Sequence, residues 1–244
     1  MTNDILKSLD IPKECYVNKP IFKKMIRENF TLNSSEKKIL ENDISNIKLE
    51  YILNKNNINI SQYIDEDNKY LEINFLKVEI SNINKLKQIT TILQNIPKPL
   101  IIFFAYKNSL CINISPKRLS KSTNDKLVIE ENYFTHWINL AEKNNLEKEF
   151  IDSLNINNQS FTNFLSFYTS YLDKILSLNA SKFSGTLNIN KDTKAILDDI
   201  ATIEISISEL KSKIKKETNF SDKVNMNIEL KKLNDKLKDL KGSL

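Results

Sequence analysis

The sequence predicts an α/β protein. It has a two-layer, mixed-sheet N-terminal domain, a helical middle segment, and a C-terminal coiled coil or helical hairpin. Three observations predict this. Stretches near 45–53, 70–80 and 100–114 alternate apolar with polar residues or run almost continuously apolar, as strands do. Between two of them, apolar side chains recur every three or four residues, the period of a helix lying on a sheet. Beyond residue 195 the same step is sustained for nearly fifty residues, as in coiled coils.

Taken in order, Leu6, Leu9 and Ile11 precede Pro12, and Pro20 opens a helical pattern of Ile21, Phe22, Met25, Ile26 and Phe30. Asn33-Ser34-Ser35-Glu36 has capping-box spacing and should start a helix running to about Glu41. Ile47, Leu49 and Tyr51 alternate with Asn46, Lys48 and Glu50, which reads as a strand over 45–53 with the polar set facing water. In 70–80, Leu71, Ile73 and Phe75 are out of phase with Leu76, Val78 and Ile80. A bulge near Phe75 and Leu76, or a strand partly buried on both faces, accounts for that change.

Ile83, Leu86, Ile89, Ile92, Leu93 and Ile96 give a helix that Pro97-Lys98-Pro99 stops. Leu100 to Tyr106 is apolar enough for a central strand, and Lys107-Asn108 turns it into the alternating Leu110, Ile112 and Ile114. Asn108 is the residue type that tolerates a left-handed turn. Leu127 to Glu130 suits a further edge strand. Residues 135–180 read as mostly helical, with dense aromatics suited to a core, and 181–195, containing Gly185, as a linker.

In the tail, Ile196, Ile200, Ile203, Ile207, Leu210 and Ile214 form one seam. Met226, Leu230, Leu233, Leu237, Leu240 and Leu244 form another, shifted in phase across 217–224. Either the helix folds back there or one helix carries a discontinuity; Ser221 can cap a second helix. These patterns divide the chain roughly into an α/β domain at 1–130, a helical segment packed on it at 131–195, and a coiled-coil tail at 196–244.

Composition narrows the function. The chain has 244 residues, 40% hydrophobic and 27% charged, which suits a globular protein with a substantial core. Its two glycines exclude Gly-rich phosphate and dinucleotide loops. Its 33 asparagines, with many Ile and Lys, resemble the coding bias of an AT-rich genome, so a single Asn carries little meaning. Two cysteines, Cys15 and Cys111, fit a reducing, cytoplasmic setting, and a mid-strand Cys111 should be buried and inert. With His136 as the sole histidine, neither a structural metal site nor a Ser-His-Asp triad is favoured, and no cofactor is implied. The polar, acidic start is unlike a secretory signal, and the apolar run at 99–106 is too short to span a bilayer.

Net charge is +5, with an excess of lysine and arginine over 1–130. Lys117, Arg118, Lys121 and Lys126 form a basic loop close to Tyr133 and Trp137, a grouping able to neutralise phosphates and stack on bases. A solvated hairpin loop is the simpler reading. Asp67, Glu72, Lys77 and Glu79 are the acids and lysine available to a metal-dependent nuclease, but they lack the acid-x-Lys spacing. Ile203, Ile207, Leu210, Ile214, Leu230, Leu233, Leu237 and Leu240 are the residues expected to hold a protein partner or a second copy.

Short stretches spread through the chain carry a resemblance. They are 9–13, 47–53, 71–80, 96–103, Tyr133-Phe134-Thr135-His136-Trp137, and 217–230. In that order they resemble a bacterial and archaeal family of unknown function. Its genes lie near helicases and DNA methyltransferases in restriction or anti-phage islands. The strand at Ile47 to Tyr51 lacks a Trp associated with many members. The resemblance transfers no active-site residue. It implies a defence setting, with a helicase or methyltransferase as partner. Clear interaction seams and no convergent catalytic set point to a non-catalytic accessory or assembly subunit, so the expected role is such a subunit of an anti-phage or restriction complex, with its globular part able to touch DNA. The alternatives are a metal-dependent nuclease and a purely structural self-assembling protein.

Overall fold

In the computed structural model, residues 2–121 and 127–244 are described. They fall into two compact units, 1–175 and 176–244. The first begins with α1 (Thr2–Ser8) and β1 (Tyr16–Pro20), followed by α2 (Lys23–Asn29) and α3 (Ser34–Asn42). Pro20 ends the strand instead of entering the helix, and Phe22 occupies the N-cap. The capping box at α3 forms in full: the Glu36 N–H donates to Asn33 at 2.9 Å, and the Asn33 N–H donates to Glu36 at 2.8 Å.

β2 (Ile44–Asn54) comes next, then the hairpin of β3 (Tyr63–Ile64) and β4 (Lys69–Tyr70), β5 (Glu72–Ile80), α4 (Leu86–Gln94), β6 (Leu100–Tyr106) and β7 (Ser109–Ile114). Strands β8 (Lys117–Leu119) and β9 (Leu127–Ile129) pair only with each other. Thus part of the predicted basic loop is a strand, and 127–129 is a strand outside the main sheet. β10 (Tyr133–Phe134) and β11 (Ile138–Asn139) extend the main sheet on β7. The helices expected from residue 135 therefore start only at α5 (Asn145–Ser153), where Asn144 and Glu147 make a second capping box.

The main sheet runs β1-β2-β5-β6-β7-β10, with β11 also on β7. Only β5 and β6 are parallel, and α4 makes the crossover that a parallel pair requires. At the β6–β7 turn the left-handed residue is Lys107, φ 52°, in place of the expected Asn108.

The phase change in β5 has a different cause from a bulge in that strand. β5 pairs regularly with β6 from Asn74 to Glu79, so its two apolar sets lie on opposite faces. The bulge sits across from it in β2: Leu49 pairs with Leu76 and Tyr51 with Phe75, which leaves Glu50 as the extra residue. Tyr51 consequently leaves the face of Ile47 and Leu49 and joins that of Phe75.

Both faces are covered. Leu76, Val78, Ile80, Ile102 and Phe104 pack beneath Ile26 of α2, Ile39 and Leu40 of α3, and Ile89, Ile92 and Leu93 of α4. On the other face, the Phe75 ring lies 6.2 Å from Tyr51, 6.3 Å from Phe103 and 5.6 Å from Tyr171, separations at which aromatic pairs attract. Tyr171 belongs to α6 (Phe164–Ser184), so the middle helical segment supplies the layer that a two-layer domain lacks. The Tyr51 hydroxyl donates to the Leu6 carbonyl of α1 at 3.2 Å. The Tyr168 oxygen lies 3.0 Å from the carbonyls of Leu100 and Ser115 and accepts from the Ser115 N–H, so it ties α6 to two strand ends.

In the second unit α6 ends at Gly185, whose φ of 73° and N–H bond to the Ser181 carbonyl make a left-handed stop. α7 (Thr193–Lys216) and α8 (Phe220–Gly242) then pack as a helical hairpin. Asn219, not Ser221, is the N-cap, accepting from the N–H groups of Ser221 and Asp222. Lys241 pairs with Glu204 at 2.8 Å, joining one end of α8 back to α7. This settles the choice at 217–224 for a fold-back. Among the described residues, no helix is long and apolar enough to cross a membrane.

Candidate functional site

Among the described residues, the side chains of the basic loop are not gathered as a phosphate site. Lys117 is 2% exposed, and its ammonium donates to the carbonyls of Gln94, Ile96 and Lys98 at 2.9, 2.6 and 2.8 Å. It therefore closes the C-terminal turn of α4, where a positive charge meets the negative end of the helix dipole. Burial lowers its pKa to about 7. Arg118 lies 4.0 Å from Glu130 and donates to the Leu119 carbonyl. Lys121 is exposed, and Lys126 lies outside the described residues. Tyr133 is buried and donates its hydroxyl to Glu131, which removes it as a stacking platform. Trp137 is half-buried on the core with its ring edge-on to Tyr106 at 6.2 Å. Lys117 and Tyr133 are thus structural, and what faces outward is Lys121 with part of Arg118.

The acids of the nuclease alternative do not converge. Alternation along β5 sends Glu72 and Glu79 to opposite faces, and seven residues of strand separate them by about 23 Å. Glu72 pairs with Lys98 at 3.3 Å, while Glu79 accepts from Lys77 at 2.6 Å. Asp67 sits in the β3–β4 turn, where its carbonyl accepts from the Leu119 N–H. Among the described residues, no three His, Cys, Asp or Glu side chains are grouped to hold a metal ion. His136 pairs through Nε2 with Glu147 at 2.8 Å, and its buried Nδ1 has no partner among the described residues. Both cysteines are free and buried, and burial pushes their thiols up to about 11 for Cys15 and about 12 for Cys111.

The partner-binding residues divide between two environments. Ile203, Ile207 and Leu210 of α7 are buried, whereas Ile214 and, on α8, Leu230, Leu233, Leu237 and Leu240 are half-buried. No residue of α8 is buried. Phe220, Val224 and Ile228 are spaced four residues apart and exposed, Phe220 at 81%.

Two cavities open on the sheet face beside α1. One, of about 430 Å³, is lined by Thr2, Asn3, Ser45, Lys77, Glu79, Ala105, Lys107 and Asn108. The other, of about 400 Å³, is lined by Asn3, Leu6, Lys7, Asp10, Ile11, Lys13, Tyr16, Lys48, Glu50 and Tyr51. The second is built by the bulge, which turns Glu50 and Tyr51 toward the same side. Glu50 is 5% exposed, and no described residue hydrogen-bonds or ion-pairs with its carboxylate. Burial, followed by Glu50 and Tyr16, raises the Tyr51 hydroxyl pKa. Sequence reasoning placed Glu50 on a wet strand face. A lone acid between Leu49 and Tyr51 was the available signal, but the register that exposes its meaning depends on β5.

Residues 9–237 match a protein family described as a domain of unknown function, DUF4391. The chain belongs to that family. The match takes in most of both compact units of this DUF4391 protein, from Leu9 to Leu237 of α8. No curated protein and no solved structure matches the chain.

Proposed function

We propose that the chain is a non-catalytic assembly subunit whose C-terminal hairpin docks a protein partner, within an anti-phage or restriction complex that acts on DNA. The hairpin's uneven burial carries this reading. α7 buries its isoleucine seam, while the leucines of α8 remain half-covered, and Phe220, Val224 and Ile228 are exposed on the opposite side of α8. An apolar helix face left open in this way gains free energy when a second helix covers it. The defence setting comes from the sequence resemblance. Lys121 and Arg118 are the remaining candidates for weak phosphate contact, which would position DNA without reading its bases.

Leu233→Asp together with Leu237→Asp tests the docking surface, because each change places a charge where a partner would need an apolar contact. The full-length chain captures its partner from native cells and elutes with it, and the double variant loses that partner while keeping the wild-type circular dichroism. Equal capture and equal mass in solution for both proteins would refute the proposal.

A further inference from the structure

The cavity at the β2 bulge has the composition of a ligand site. Glu50 is 95% buried by its 5% exposure, lines the cavity wall, and has no side-chain partner among the described residues. With no such partner, its two oxygens are left to whatever fills the cavity, solvent or ligand. The neighbouring acid, Asp10, already accepts from the Asn157 amide at 3.5 Å.

An ionised carboxylate only accepts, through two oxygens side by side, so its complement is an edge with two adjacent N–H donors. Lys7, Lys13 and Lys48 line the same cavity, which opposes a cationic ligand and favours one with an anionic end. Tyr16 is half-exposed, and its ring lies 5.4 Å from that of Tyr51, which supports it as a stacking surface. The volume of about 400 Å³ falls within the range of small-molecule sites.

We propose that this cavity binds a guanine nucleotide, with Glu50 accepting from the base N1–H and N2–H, Tyr16 stacking on the base, and Lys7, Lys13 and Lys48 holding the phosphate. Guanine alone among the common bases presents two adjacent donors on its pairing edge, and its phosphate supplies the anion. The same chemistry comes from a free nucleotide or from a 5′-phosphorylated guanosine at a strand end. The proposal does not depend on the docking role of the hairpin.

Calorimetric titration of the full chain tests it with GMP, IMP, AMP, guanosine, inorganic phosphate and a 5′-phosphorylated tetranucleotide beginning with guanosine. GMP binds saturably, IMP binds at least tenfold more weakly because it lacks the N2 amine, and AMP and phosphate are weaker still. Glu50→Gln brings GMP down to the IMP level, and Lys48→Ala weakens GMP while leaving guanosine unchanged. Tighter binding of the tetranucleotide identifies the strand end as the source, and equal or tighter binding of GMP identifies the free nucleotide. The hairpin variant Leu233→Asp/Leu237→Asp binds GMP as wild type does. The proposal is overturned if millimolar GMP does not bind, or if GMP and AMP bind equally and Glu50→Gln alters neither. Should Glu50→Gln fail to fold, Tyr16→Ala decides: it lowers GMP affinity about tenfold, and unchanged affinity overturns the site.

Discussion

The sheet unit and the hairpin unit use apolar residues in opposite ways. In the first, β5 and β6 are buried on both sides, and rings from strands and helix close over Phe75. In the second, α7 has buried residues and α8 has none. Six of the twelve large apolar side chains exposed among the described residues (Phe183, Ile189, Ile205, Phe220, Val224 and Ile228) belong to 176–244, the smaller unit. For its size, the sheet unit has buried far more of its apolar surface than the hairpin has. Stability should therefore be concentrated in the first unit and association in the second.

The strongest test truncates one residue from each. Phe75→Ala removes a ring with three aromatic neighbours and should destabilise the sheet unit by about 4 kcal/mol. Leu233→Ala, on a half-buried position of α8, should cost about 1 kcal/mol. Denaturant titration of both variants checks the difference, and equal losses would erase the contrast.

Lys117→Met should cost about 3 kcal/mol, because the Gln94 and Lys98 carbonyls lose their donor. The same residue predicts a pH effect. Its native pKa is about 7 against an ordinary 10.5, so between these values the unfolded chain binds the extra proton. Stability then rises with pH across that window and is lost as pH falls toward 7. Comparing denaturation midpoints at pH 7 and 10 should show this rise in the wild type and a smaller one in Lys117→Met.

The smallest effect is expected at the α3 cap. Asn33→Ala should lower stability by about 1 kcal/mol, measured by thermal melting, since one side-chain acceptor and the reciprocal Glu36 bond are disturbed. A loss comparable to that of Phe75→Ala would show that helix ends, and not the aromatic layer, dominate the first unit.

What could be read beforehand follows the range of the forces involved. The α3 capping box, the strand expected at 45–53, the helix before Pro97 and the two tail seams are local patterns, and each is present. β1 escaped notice because it is largely exposed, with polar residues and a terminal Pro20. β10 and β11 are two residues each, too short to show a period. The phase change in 71–80 was visible, but its explanation lay in β2, across the ladder. Lys117 looked like any surface lysine until the carbonyls ending α4 were placed around it. Glu50 was misjudged for the same reason: only pairing with another strand decides its direction. Of the proposed nucleic-acid residues, Tyr133 and Lys117 were taken inward by partners that sequence spacing does not reveal.

The order of strands has a consequence for how the chain acquires its structure. Each neighbour in β1-β2-β5-β6-β7 is the next main-sheet strand along the chain, so pairing can proceed in chain order, although only the β6–β7 connection is a tight turn. The helices α2, α3 and α4 are interleaved with those strands and can shield one side as it forms. The opposite side must await α6, whose Tyr168 reaches a carbonyl 68 residues earlier. Phe75 and Phe103 therefore remain uncovered during synthesis until the chain has emerged past Tyr171, and a ribosome stalled before that point would present a half-closed sheet to chaperones.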